Sequence, residues 1–216
     1  GHLFLGLRHA ELGDLPGAIE AHEEALKRNP SLAQAHVNLI SLYGRTKQWA
    51  DAERHYRAVV ALGYNLDEAH YNYGVLLGLQ GRWAEAEAAY RAAIAANPLH
   101  AVARNNLGQI LEMERKVPEA LEQYQHAVAA DPRLRIARFN LGRMLLALRQ
   151  IEQAATEFAR LREPQDAESP RYIYGLAVAT LMALKEGVVP PSYIYIELRD
   201  RQANRTYRSN LADTVL

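Results

Sequence analysis

Residues 71–98 read Tyr71-Asn72-Tyr73-Gly74-Val75-Leu76-Leu77-Gly78-Leu79-Gln80-Gly81-Arg82, then Trp83-Ala84-Glu85-Ala86-Glu87-Ala88-Ala89-Tyr90-Arg91-Ala92-Ala93-Ile94-Ala95-Ala96, then Asn97-Pro98. Tyr73, Val75, Leu76, Leu77 and Leu79 form one apolar stripe at helical spacing, and Trp83, Ala86, Ala89, Tyr90, Ala93 and Ile94 form a second. Gln80-Gly81-Arg82 supplies the turn between them, with Gly81 free to take the left-handed conformation that closes a helix. Asn97-Pro98 stops the second helix, because proline has no amide hydrogen and pushes its predecessor out of the helical region. The stretch is one antiparallel helical hairpin.

The hairpin recurs along the chain. Asn38, Asn72, Asn106 and Asn140 stand 34 residues apart, and Leu5-Gly6, Tyr73-Gly74, Leu107-Gly108 and Leu141-Gly142 keep the same period. Alanines repeat in step at 18, 52, 86, 120 and 154, followed four residues later by His22, Tyr56, Tyr90, Tyr124 and Phe158. Pro30, Pro98 and Pro132 close units. Self-similarity at such a period is the mark of a solenoid. The small residues are expected at helix contacts, Gly74, Gly108 and Gly142 facing Ala86, Ala120 and Ala154, with the aromatic filling the space beside them.

These residues resemble the tetratricopeptide repeat: an apolar residue and Leu-Gly, a later aromatic, Ala, Tyr or Phe, Ala and Pro over 34 positions. The resemblance implies an all-α fold, a right-handed superhelical solenoid of antiparallel helix pairs. It covers residues 1–186 as five repeats plus the first helix of a sixth at 171–186, leaving 187–216 as a non-repeat C-terminal cap or tail. Three departures stand out. Ile40 occupies a glycine position, Tyr64 replaces a closing proline, and Pro164 closes the fifth repeat two residues early.

In this family the first helix of each repeat lines an extended concave groove. The positions that packing leaves over are Asn38 and Ser41 in repeat two, Tyr71 and Asn72 in repeat three, Asn105, Asn106 and Gln109 in repeat four, and Phe139, Asn140 and Arg143 in repeat five. An asparagine carries donors and an acceptor, so a column of them can bond an extended peptide backbone without reading its side chains. The column resembles the asparagine ladder of the O-linked N-acetylglucosamine transferases. The alternative is that each asparagine braces a neighbouring turn. Leu3, Val37 and Tyr71 occupy positions where a carboxylate-binding repeat would place Lys or Arg, so a terminal carboxylate is not the favoured ligand. Arg104, Arg138 and Arg143 make the later repeats more basic, which suits an acidic residue on the ligand.

Composition narrows the function further. Twenty-five basic residues balance 25 acidic ones, so no summed field favours nucleic acid or an anionic membrane. No apolar run reaches the roughly 20 residues of a membrane helix, and there is no cysteine for disulfides, thiolate metal sites or thiol catalysis. The eight histidines show no zinc-binding spacing, and no phosphate loop or nucleophile elbow occurs. The expectation is a protein with no catalytic residues, metal or cofactor, working in the cytoplasm as a scaffold that binds an extended peptide or partner helix. Two alternatives are the substrate-recruiting arm of a larger glycosyltransferase-type enzyme and a self-assembling adaptor.

From Gly187 the phase is lost, and Gly187-Val188-Val189-Pro190-Pro191 ends the helical pattern. Ser192–Leu198 mixes β-branched and aromatic residues, leaving helix and strand both open. Beyond Asp200 the chain is expected to be extended. Its readings are a cap, the start of a further domain, or a segment that fills a groove and mediates self-association.

Overall fold

The computed structural model describes residues 1–161 and the backbone of two strands, 195–200 and 205–210. Residues 171–186, expected to begin a sixth repeat, lie outside the described residues, as do 187–194. Two compact units divide at Ile110 and Leu111.

The first unit holds three complete hairpins: α1 (His2–Glu11) with α2 (Leu15–Arg28), α3 (Ala33–Arg45) with α4 (Trp49–Leu62), and α5 (Leu66–Leu79) with α6 (Trp83–Ala96). Helix α7 (Ala101–Met113) begins in this unit. The second unit contains α8 (Val117–Ala130), α9 (Arg135–Ala147) and α10 (Ile151–Ala159). β1 (Tyr195–Asp200) and β2 (Arg205–Asn210) pair antiparallel from Tyr195↔Asn210 to Asp200↔Arg205. The all-helical expectation holds for the repeats. The tail adds a β-hairpin where the local pattern left helix and strand open.

Each hairpin turns the same way. Gly13, Lys47, Gly81, Arg115 and Arg149, one period apart, all have φ between +60° and +78°. The amide after each reaches back to the carbonyl five residues earlier: Asp14 to His9, Gln48 to Tyr43, Arg82 to Leu77, Lys116 to Leu111 and Gln150 to Leu145, at 2.8–3.0 Å. That is the Schellman closure of a helix C-terminus, which wants glycine at the left-handed position. Here Lys or Arg accepts it three times in five. Second helices end as the prolines demand: Asn29, Asn97 and Asp131, each before a proline, are extended at φ near −140°. Where Tyr64 replaces proline, Gly63 and Asn65 both turn left-handed instead, at φ 72° and 53°.

The repeat alanines 18, 52, 86, 120 and 154 are fully buried. What the glycines make room for is the aromatic ring expected beside them, which is the nearest group at Gly74 and Gly142. A Cβ on Gly74 would sit 2.6 Å from the Tyr90 ring, one on Gly142 2.8 Å from Phe158, and one on Gly6 2.6 Å from His22. Ile40 shows the consequence of a side chain in that slot. It is fully buried against Val37, Val59 and Ala69, and Tyr56 is only half-buried, its ring lying flat on Tyr73 at 3.9 Å and 8°.

Candidate functional site

The groove positions are set by which side of each first helix faces its partner. On α1, α3 and α5, Gly6, Leu39, Ile40, Leu76 and Leu77 point inward. That leaves Phe4, Leu7, Ser41, Arg45 and Leu79 exposed and Asn38, Tyr71, Asn72 and Val75 half-buried. Gln109, on the part of α7 in the same unit, is exposed.

The asparagines are engaged internally. Asn38 Nδ2 lies 3.4 Å from His22 Nε2, and its Oδ1 accepts from Gln34 at 3.1 Å. Asn106 Nδ2 donates to the Tyr90 hydroxyl at 3.4 Å, and its Oδ1 accepts from Asn105 at 3.1 Å. Both Nδ2 groups thus reach the buried ring of the preceding second helix. Asn72 departs from this because Tyr56, displaced by Ile40, is no longer beneath it. Its Nδ2 donates to the Val37 carbonyl at 3.3 Å, while the Tyr56 hydroxyl meets His70 Nδ1 at 2.9 Å. Asn105 and Asn140, 2% and 5% exposed, lie inside the packing rather than on a surface a ligand can touch. Tyr71 is half-buried against Tyr90 and His100, and burial raises its hydroxyl pKa. The Tyr90 hydroxyl is pushed up to about 12 by burial, so both remain donors at neutral pH.

In the second unit Phe139 is half-buried with its ring 6.0 Å from Phe158. Arg143 grips Glu112 with two bonds of 2.6 and 2.5 Å and holds that carboxyl below the usual range. Arg138 is 7% exposed, bonded to Glu157 at 2.5 Å and to the Pro132 carbonyl at 2.8 Å. Arg104 bonds the Pro98 carbonyl at 2.9 Å. The basic character expected to attract an acidic ligand is therefore committed internally: Arg143 and Arg138 face carboxylates and Arg104 a carbonyl. A cleft of about 490 Å³ opens between α8, α9 and α10, with Val128, Leu141 and Leu145 on its apolar side and Gln125, Gln153 and Glu157 on its polar side.

One internal feature escaped the sequence reading. His36, Arg104 and Arg138 occupy one repeat position, and each bonds the carbonyl of the proline six residues before it. The signal was present as the spacing Pro30/His36, Pro98/Arg104 and Pro132/Arg138, hidden because histidine and arginine look unrelated. His22, His36, His55 and His100 are all buried. His22 Nδ1 has no partner, and burial lowers its pKa. Among the described residues no group of three or more potential ligands could hold a metal ion, and no helix is long and apolar enough to cross a membrane.

Stacked helical hairpins of 34 residues, each offering one face of its first helix to solvent, define a helical-repeat solenoid. The tetratricopeptide repeat model matches residues 5–63, 38–87, 77–134 and 114–170, and the chain belongs to that family. Among solved structures it is similar to PilF of Pseudomonas aeruginosa (20% identity, TM-score 0.71, covering 87% of this chain and 83% of that one). MamA is similar at 21% identity and TM-score 0.57, with 89% and 96% covered. YrrB, described as a tetratricopeptide repeat protein with an unusual peptide-binding site, is similar at 19% identity and TM-score 0.53, with 87% and 91% covered. No curated protein sequence matches the chain.

Proposed function

We propose that this chain is a protein-interaction scaffold that binds an extended peptide or partner helix along the first-helix faces of its repeats. The observation that carries the reading is the make-up of that face in the first unit. On these first helices Phe4 and Leu79 are 75% and 61% exposed, Ser41 and Gln109 are exposed, and Tyr71 and Val75 are half-buried. Apolar side chains held at an open surface by a rigid scaffold, with neutral polar neighbours, are what a contact surface needs. The peptide-binding description of YrrB supports the same use of the fold. The role is one of binding, not catalysis.

Asn38, Asn72 and Asn106 enter this reading in a double capacity. Each braces the scaffold through Nδ2, and a peptide bound over them would compete for or share those bonds. A peptide array probed with the full chain tests the reading. Ser41→Arg with Leu79→Glu should abolish peptide retention while Glu20→Arg, on an exposed position of a second helix, leaves it intact. Equal retention by all three proteins would refute it. Asn72→Ala with Asn106→Ala separates the two capacities. Lowered melting with unchanged retention marks braces, whereas lowered retention at unchanged melting marks peptide contacts.

A further inference from the structure

A polar network joins α2, α3 and α4 through His36 and His55, which are 9% and 3% exposed. His36 Nε2 lies 3.0 Å from the Pro30 carbonyl. A carbonyl only accepts, so this nitrogen carries hydrogen, and a neutral His36 has its lone pair at Nδ1. His55 Nδ1 lies 2.8 Å from that lone pair and must donate to it. His55 Nε2 then faces Glu23 Oε1 at 3.1 Å and Arg54 Nη2 at 3.3 Å. The Tyr43 hydroxyl donates to the same Glu23 oxygen at 2.9 Å, and its ring stacks on His55 at 5.5 Å and 8°. Arg54 is also 3.5 Å from Glu23 and 3.2 Å from Asp51.

Two proton inventories fit this geometry. With both imidazoles neutral, the bare Nε2 of His55 faces a carboxylate and depends on Arg54 to donate to it. With one added proton, Nε2 donates directly to Glu23 and Arg54 is left to Asp51. A second added proton would set two N–H groups head to head across 2.8 Å.

We propose that His36 and His55 form a one-proton latch: acidification adds a single proton at His55 Nε2, passes Glu23 from Arg54 to His55, and a second proton enters only when α3 parts from α4. The groups facing the pair are Glu23 from α2, Tyr43 from α3, and Arg54 and Asp51 from α4. The fifth repeat provides the counterpart. Three periods later the same positions hold Gln125, Arg138 and Glu157, and Arg138 bonds the Pro132 carbonyl as His36 bonds that of Pro30. There the anchor is a fixed ion pair, and in the second repeat it is titratable. Because α3 also carries Asn38 and Ser41, the latch acts on the helix that presents part of the proposed binding face.

Histidine resonances of the full chain, followed by NMR from pH 8 to 5, test the latch. The pair should take up one proton at a single midpoint, with the shift of one imidazolium carried mainly by His55, and second protonation seen only as folded signals vanish. Arg54→Gln should raise the midpoint and Glu23→Gln should lower it. Each shift should be roughly half a pH unit or more, the scale of a partly exposed charge a few ångströms away. The triple variant Glu23→Gln, His36→Arg, His55→Glu, which installs the fifth-repeat set, should take up one proton fewer over the same range. The latch is refuted by two full, independent imidazolium titrations in the folded chain. It is equally refuted by silence of both rings with the fold intact, or by Arg54→Gln and Glu23→Gln shifting the midpoint the same way. Arg54 is exposed, so its variant decides the matter even where the triple variant does not fold.

Discussion

Gly74 and Gly78 lie four residues apart on α5, and the same substitution at each should act in opposite directions. In a helix interior, Gly→Ala gains about 1 kcal/mol from backbone entropy. At Gly78 the new Cβ meets only Trp83 Cζ3 at 3.5 Å, an ordinary contact, so Gly78→Ala should stabilise by about 1 kcal/mol. At Gly74 it would stand 2.6 Å from Tyr90 Cε1 and 2.8 Å from Cδ1, so the ring must retreat by about 1 Å to restore normal contact. Tyr90 is 5% exposed, its hydroxyl engaged by Asn106 and the Tyr71 ring beside it, so the movement disturbs a packed neighbourhood. Overpacking costs about 1–3 kcal/mol, which offsets the propensity gain and leaves Gly74→Ala destabilised by up to about 2 kcal/mol. Urea unfolding followed by circular dichroism reads both variants, with an unchanged m-value as the check that unfolding remains comparable. Tyr56 shows where the displaced ring would go, because Ile40 at the equivalent position leaves that tyrosine stacked on the surface against Tyr73. Gly74→Ala proving as stable as Gly78→Ala would refute the packing argument.

Other perturbations test separate links. Lys47→Gly and Arg115→Gly should each stabilise by about 0.5–1 kcal/mol in urea unfolding, because they relieve a left-handed backbone at φ near +60° that costs a side chain more than it costs glycine. His22 has a folded pKa lowered by burial from its ordinary 6.5, so the unfolded chain binds its proton more readily. Its contribution to stability is complete above pH 6.5 and is lost as pH falls from there through the folded pKa. His22→Tyr, which restores the residue found at Tyr90 and Tyr124, should flatten melting temperature against pH over that window. Arg138→Met strands the half-buried Glu157 with only the exposed Arg160 beside it and should cost about 3 kcal/mol, most of it recovered when Glu157→Leu is added.

The repeat pattern and its local signals determined the helical hairpins, the turn at Gly81, and the extended residues before Pro30, Pro98 and Pro132. Those features are local: a stripe at helical period, a residue tolerant of positive φ, and a proline acting on its neighbour need no distant partner. The same phase could place the candidate groove positions on first helices. It could not supply the burial of Asn105 and Asn140, or the bonding of the others. Asn38 and Asn106 reach the buried ring of the preceding helix, while Asn72 turns to the Val37 carbonyl because Ile40 has displaced Tyr56. The choice depends on which of two side chains, distant in sequence, occupies one slot. Arg138 and Arg143 read as surface charge on their own helix, and only packing brought Glu157 and Glu112 against them. The His36–His55 contact crosses 19 residues and depends on the separation of α3 and α4. Repetition in the sequence therefore decided the architecture. Tertiary packing decided which polar groups remain available, because a buried donor or acceptor goes to whichever partner the neighbouring helix places within reach.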